Sequence, residues 1–344
     1  MTPTSPEPTH HAPLARETLV LSRRDVARVL GIADCIDAVE RVFRLHADGA
    51  TIPPGVLGAH VGAGSFHVKT AGIMEGGPIF VAKVNANFPQ NPERFGLPTI
   101  QGVIAIFDAE RGVPLALLDS AEITSLRTAA ASAVAARYLA REDAAVVAVC
   151  GCGEQGRSQL RALATVRPLR RALAFDVDAV RAQRYAAEMA RELGIEVTAV
   201  SDFAAAARRS HVVVTCTTSR RWILGHGDVA PGTFVAAVGA DNPTKQEIEP
   251  ALMAGSAVVV DILEQCEQMG DLHHAIAAGV MTRGDVAATL GDVVSGRKPG
   301  RRLADDVVVF DSTGTALQDV AAAWLAYERA LAGGVGVSID LGGR

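Results

Sequence analysis

The residues whose spacing points most directly to chemistry are Gly151, Gly153 and Gly156, in the stretch 144–159, AAVVAVCGCGEQGRSQ. A sharp turn off a strand at the first, close backbone approach at the second and tight helix–sheet packing at the third form the geometry that receives a dinucleotide pyrophosphate. The phosphates would sit on the free N–H groups where the helix starts, at Glu154 and Gln155. The flanks agree with this. Residues 145–150 are a continuous apolar run, Leu160, Leu163 and Ala164 recur at helical spacing, and a second apolar run, 172–175, ends in Asp176. An acid there lies at the distance expected of a carboxylate that accepts hydrogen bonds from a ribose 2′-OH and repels a 2′-phosphate. The cofactor expected is therefore NAD(H), with NADP(H) as the alternative if Arg181 or Arg184 reaches back to neutralise that repulsion.

Such a turn works only at the edge of a parallel sheet. After Asp176, Ala182, Tyr185, Ala186, Met189 and Leu193 mark an amphipathic helix, and 197–200, 212–216, 234–238, 258–261 and 307–310 read as strands with helices between them. That alternation demands a parallel sheet covered on both faces, with ligands at the carboxyl ends of its strands. Three strand ends then matter: Cys216, Thr217, Thr218 and Ser219; Val238 and Gly239 on to Asp241 and Pro243; and FDSTG at 310–314.

The chain before this sheet has a different rhythm. Residues 18–21 read as a strand, and Ser22 followed by Asp25 forms a capping box for a short helix. Ile36, Val39, Phe43 and Ala47 make one apolar helical stripe. From 56 to 108 apolar runs alternate with Gly and Pro, which predicts a largely antiparallel sheet, and Arg111-Gly112 predicts a hairpin turn. Residues 122–140 form an alanine-rich helix with Thr124, Arg127 and Thr128 near its start. A cation so early opposes the helix dipole, which makes Arg127 a candidate anion binder. A last helix, 316–331, comes too late for the repeating pattern and is placed back on the first domain. The fold class expected is α/β: a Rossmann-type doubly wound parallel sheet over 142–314, plus a discontinuous α+β domain for substrate binding and dimerisation over 17–141 and 315–344. Residues 1–16, rich in Pro, Thr and His, are expected to be a mobile tail.

Composition narrows the partners. The 344 residues are 49% hydrophobic with a formal net charge of −5, and no apolar run approaches the roughly 20 residues that cross a bilayer. No Lys/Arg block tracks a phosphodiester backbone, so neither nucleic acid nor membrane is expected as partner. The five cysteines lack paired metal-ligand spacing, so no metal is expected; reduced thiols suit the cytoplasm. Cys150 and Cys152 read as small apolar walls of the glycine turn.

Longer blocks carry a family resemblance. KVNANFPQN (83–91), GLPTIQG (96–102), ITSLRTAAASAVAARYLAR (123–141), GCGEQG, VGADNPTKQEI (238–248), GRKPGR and FDSTGTALQD resemble, in order, the ornithine cyclodeaminase and mu-crystallin family. The resemblance implies a homodimer, NAD(H) or NADP(H) in the second domain, and either cyclodeamination of ornithine or reduction of 2-imino acids to amino acids such as alanine or proline. It places the family's carboxylate-binding lysine on Lys83, its substrate arginine on Arg127 and its catalytic acid on Asp241. Two cations on a 2-imino carboxylate would fix the imine carbon for hydride transfer, and Asp241 could protonate or hydrogen-bond the nitrogen. A solvated strand lysine and a turn-forming Asp before Asn242-Pro243 are the plainer readings of Lys83 and Asp241.

Two absences bear on the reaction. Many family members carry another substrate arginine after the second helix, yet no arginine lies between Arg44 and Lys83. His67 and Lys69, two apart on a strand, share a face, so either one substitutes for it or both belong to an exposed edge. No Asp or Glu lies between Asp48 and Glu75 to hold the distal ammonium of ornithine. The sequence thus favours an NAD(P)H-dependent reductase of a small 2-imino acid, over ornithine cyclodeaminase and over a non-catalytic, mu-crystallin-like binding protein.

Overall fold

The computed structural model describes residues 17–342; the tail expected over 1–16 lies outside them. β1 (Thr18–Leu21) leads into α1 (Arg23–Val29), which Ser22 and Asp25 cap reciprocally, and α2 (Ile32–Ala47), which buries Ile36, Val39, Val42 and Phe43 along one stripe. Then come β2 (Thr51–Val61), β3 (Gly64–Ile73), β4 (Ile79–Asn87), the short α3 (Asn91–Phe95), β5 (Ile100–Asp108) and β6 (Pro114–Asp119). With β17 (Val337–Ile339) they make one sheet in the order β17-β1-β6-β5-β4-β3-β2. It is antiparallel from β2 to β6, as expected, and β1 joins β6 in parallel. Gly112 (φ 71) turns β5 into β6. In the β3–β4 register Lys69 stands opposite Lys83, so the two side chains leave the same face.

α4 (Ser120–Leu139) begins two residues earlier than expected, because Asp119 accepts from the Ala121 amide and caps it. Arg127 therefore lies about two turns inside the helix, where the dipole argument no longer applies. Fourteen of its residues are buried, most of them Ala or Ser, small enough for close packing on α2.

The second sheet is wholly parallel. Along the chain, β7 (Val146–Cys150), α5 (Glu154–Val166), β8 (Arg171–Phe175), α6 (Ala179–Leu193), β9 (Glu196–Ala199), α7 (Phe203–Ala207) and β10 (Val212–Thr215) form its first half. β11 (Arg220–Leu224), β12 (Phe234–Ala237), β13 (Gln246–Ile248), α8 (Pro250–Ala254), β14 (Ala257–Val260), α9 (Leu263–Cys266), α10 (Asp271–Ala277), β15 (Ala288–Thr289), α11 (Leu290–Val294) and β16 (Val308–Asp311) follow. The order β9-β8-β7-β10-β12-β16-β14-β15 reverses between β7 and β10, the switch point where such sheets open a crevice for ligands. β11 and β13 pair outside it as a two-stranded ribbon that the sequence pattern did not reveal. α12 (Ala316–Gly333) turns back from β16 onto α2, α4, β3 and β4. One apolar core runs from Leu19 and Ile104 through α4 to Val147 and Val308.

Candidate active site

The glycine turn meets the demands of a phosphate cradle. Gly151 has φ 104, and a Cβ there would fall 2.7 Å from the Cys216 carbonyl oxygen. A Cβ on Gly156 would strike the Gly151 carbonyl, whereas one on Gly153 would meet open space, the side from which a pyrophosphate can approach. α5 starts at Glu154 with no side chain capping its first amides, which leaves them available to an anion. Asp176, at the end of β8, accepts from the Cys152 amide (2.9 Å) and the Asp178 amide (3.0 Å), so its charge is anchored beside the turn. Arg181 stands 3.6 Å from it. The residues present fit a dinucleotide.

Beyond the turn lies a cavity of about 220 Å³. The parallel sheet contributes Thr217 and Thr218 after β10, Val238, Gly239 and Asp241 after β12, and Ser312 to Gly314 after β16. The antiparallel sheet and α4 contribute Lys69, Thr124, Arg127 and Thr128, and Gln155 closes the side toward the glycine turn. The buried Oε1 of Gln155 has no partner among the described residues. Ser219 is not on this wall; its hydroxyl donates to the Arg221 carbonyl. Glu154 is exposed at the helix start.

The cations divide into three roles. Arg127 is buried, with Nε 2.9 Å from Asp319 and an η nitrogen donating to Gln318 Oε1 at 2.6 Å. Lys83, only 3% exposed in its side chain, donates to Oδ1 of the same Asp319 at 2.8 Å and does not line the cavity. Burial, and then the Arg127 charge, push the Lys83 ammonium down to about 7. Lys69 reaches the cavity wall, and its ammonium donates to the Gly314 carbonyl and, at 3.4 Å, to Thr313. Its pKa is also lowered, by burial first and Arg127 second. His67 makes its contact with Ser65 Oγ at 3.0 Å and does not line the cavity, so of these two candidates only Lys69 stands on its wall.

Asp241 stands at the mouth with 53% of its side chain exposed and Lys245 Nζ 2.8 Å from Oδ1. Partial desolvation pushes its carboxyl up, but Lys245, Lys69 and His67 outweigh this and hold it below the ordinary carboxylate value. It is a carboxylate at neutral pH. Sequence reasoning assigned no part to Asp319, Gln318, Lys245 or Glu247. All four stand in the blocks FDSTGTALQD and VGADNPTKQEI, but their spacing alone does not say where they point. Among the described residues no cluster of His, Cys, Asp and Glu could hold a metal, and no helix is long and apolar enough to cross a membrane.

A model of the ornithine cyclodeaminase/mu-crystallin family matches residues 16–334. The alanine dehydrogenase of Archaeoglobus fulgidus is 38% identical over 324 residues, covering 94% of this chain and 98% of its own. An archaeal alanine dehydrogenase dimer with bound NAD superposes with a TM-score of 0.89 at 36% identity, over 94% of this chain and 99% of that one. The Δ1-pyrroline-2-carboxylate reductase of Thermococcus litoralis, in complex with NADH and L-proline, gives 0.88 at 31% identity, over 94% and 100%.

Proposed function

The chain belongs to the ornithine cyclodeaminase/mu-crystallin family, and within it we propose an NADH-dependent reductase of a small 2-imino acid, cyclic like pyrroline-2-carboxylate or linear like the imine of pyruvate. NADP(H) is the alternative cofactor. The observation that carries this reading is the single cavity in which Lys69 and Arg127 share a wall with the carboxylate of Asp241, at the switch point beside the glycine turn.

A bound dihydronicotinamide would supply the hydride. Arg127 and Lys69 bind the substrate carboxylate and so orient the imine carbon. Asp241, being ionised, accepts a hydrogen bond from a protonated imine nitrogen and stabilises the iminium, the better hydride acceptor; in the reverse direction it is placed to take the proton. Lys83 and Asp319 act from behind: the carboxylate orients Arg127, and Lys83 tethers that carboxylate from its other side. The stretch 49–74 offers no carboxylate for a distal ammonium, which weighs against ornithine.

We assign 17–141 and 315–344 to substrate binding and dimerisation and 142–314 to the cofactor; the return of α12 onto α2 and α4 supports that division. A homodimer is supported by the outer face of β2–β5, where Leu57 (67% exposed), Val61, Val84 and Val103 lie open. The test is a 340 nm screen of the purified protein with NADH and, in turn, pyruvate plus ammonia and pyrroline-2-carboxylate, and with NAD and ornithine. Net oxidation of NADH with an imino acid is expected. Proline and ammonia from ornithine without net redox change would make it a cyclodeaminase instead, and no turnover of any would leave a binding protein.

A further inference from the structure

Three buried carboxylates form a chain behind the cavity. Asp311, at the end of β16, accepts the amides of Asp271 (3.3 Å) and Leu272 (2.8 Å) at the start of α10. Asp271 in turn accepts the amides of Glu247 and Ile248 in β13, both at 2.8 Å. Glu247 then accepts the amide of Thr217 at 2.6 Å on one oxygen and that of Gly239 at 2.8 Å on the other. All three are at most 1% exposed, and among the described residues none has an ion pair with Lys, Arg or His.

A buried acid without a cation either takes up a proton or has backbone donors replace its hydration; burial pushes all three carboxyl groups up, and the two N–H groups that each accepts oppose that shift. What distinguishes Glu247 is whose amides it holds. Thr217 stands two residues past the end of β10 and Gly239 two residues past the end of β12, and both line the cavity. A Cβ on Gly239 would land on the Glu247 carboxylate, so any side chain there would push that carboxylate off its two amides. The Gly239 carbonyl in turn accepts the Asp241 amide at 3.0 Å.

We infer that Glu247, backed by Asp271, is a positioning residue: it clasps the two strand ends between which the reacting end of the cofactor must lie, and through Gly239 it places Asp241. This rests on the dinucleotide-dependent reaction proposed above. Glu247→Gln keeps size and one acceptor but turns an NH₂ group toward the other amide, so the clasp opens on one side.

The experiment measures NADH affinity by fluorescence, steady-state kinetics and thermal melting on the full chain. Glu247→Gln is expected to raise the NADH Kd and to lower kcat, each by about tenfold or more, while the substrate KM stays within about twofold, because Lys69 and Arg127 are untouched. Asp271→Asn is expected to shift the same two quantities in the same direction, and the double variant to lose less than the product of the two factors. A lower melting temperature with NADH Kd and kcat both within about twofold of wild type would overturn the inference. Insolubility of both single variants would overturn it too, by assigning the chain of carboxylates to folding alone. A wild-type protein that binds NADH but reduces no imino acid would sink the proposed reaction and leave the NADH arm to decide the clasp.

Discussion

Lys83 Nζ and Asp319 Oδ2 lie 2.7 Å apart although 236 residues separate them in the chain, and Arg127 shares the same carboxylate. One buried acid thus neutralises part of two cations. Removing it leaves the Arg127 charge buried with no anion opposite it and drives Lys83 to shed its proton.

Asp319→Asn is therefore expected to destabilise the protein by about 3–5 kcal/mol, the scale of breaking a buried ion pair from one side. It should also raise the substrate KM, since Arg127 loses the partner that orients it. Urea unfolding and steady-state kinetics check the two effects separately; a variant as stable as wild type would show that the triad is not held by charge.

Lys83 gives a pH dependence with a definite sign. Its ammonium releases a proton near pH 7 in the folded protein, against 10.5 as its ordinary value, so burial disfavours the charged form. Between those values the unfolded chain binds a proton that the folded one lacks, and this group's contribution to stability rises with pH across the window. Below about 7 its penalty is fully present and constant. Comparing unfolding free energies of wild type and Lys83→Met at pH 6.5, 8 and 9.5 should show a steeper rise for wild type. Parallel curves would mean that the lysine stays protonated in its pair.

Lys69 stands on the cavity wall, and Lys69→Ala is expected to lower kcat/KM by about 2–3 kcal/mol, the scale of a lost charge-assisted hydrogen bond, with NADH affinity unchanged. An unaltered kcat/KM would return Lys69 to a purely structural contact with the Thr313 and Gly314 carbonyls.

Asp241→Asn keeps the turn but loses the charge that stabilises an iminium. A fall in kcat of about 10²–10⁴-fold is expected, with near-normal folding and NADH binding. Because Lys245, Lys69 and His67 hold the carboxyl low, the acid limb of the wild-type kcat profile should lie well below neutrality. Wild-type kcat in the variant at every pH would move proton handling to water or another group.

Asp176 should make NADH the preferred cofactor, and Asp176→Asn should narrow that preference by roughly tenfold or more, the worth of one charge-assisted bond. Comparable kcat/KM for NADH and NADPH in the wild type would show that Arg181, 3.6 Å away, already offsets the acid.

What the sequence determined by itself was most of what depends on neighbours along the chain, though not the Asp119 cap that starts α4. The capping box at Ser22, the apolar stripe of α2, the glycine turn and the strand ends at 216–219, 238–243 and 310–314 follow from periodicity and backbone freedom, and local rules decide these. The sequence also brought together the blocks that carry Lys83, Arg127 and Asp241. Only the tertiary structure decided what those side chains touch. The reason given for Arg127, a cation against a helix dipole, fails because Asp119 starts α4 earlier; what holds the guanidinium is Asp319, reached through the return of α12. Lys83 turns inward to the same acid while Lys69, its cross-strand neighbour, takes the cavity wall. Glu247 finds Thr217 and Gly239 only because β13 lies outside the main sheet, against two of its ends. Buried charges choose partners by proximity in space under a low dielectric, where an unpaired group is too costly to keep, and that proximity is a product of packing which no spacing along the chain encodes.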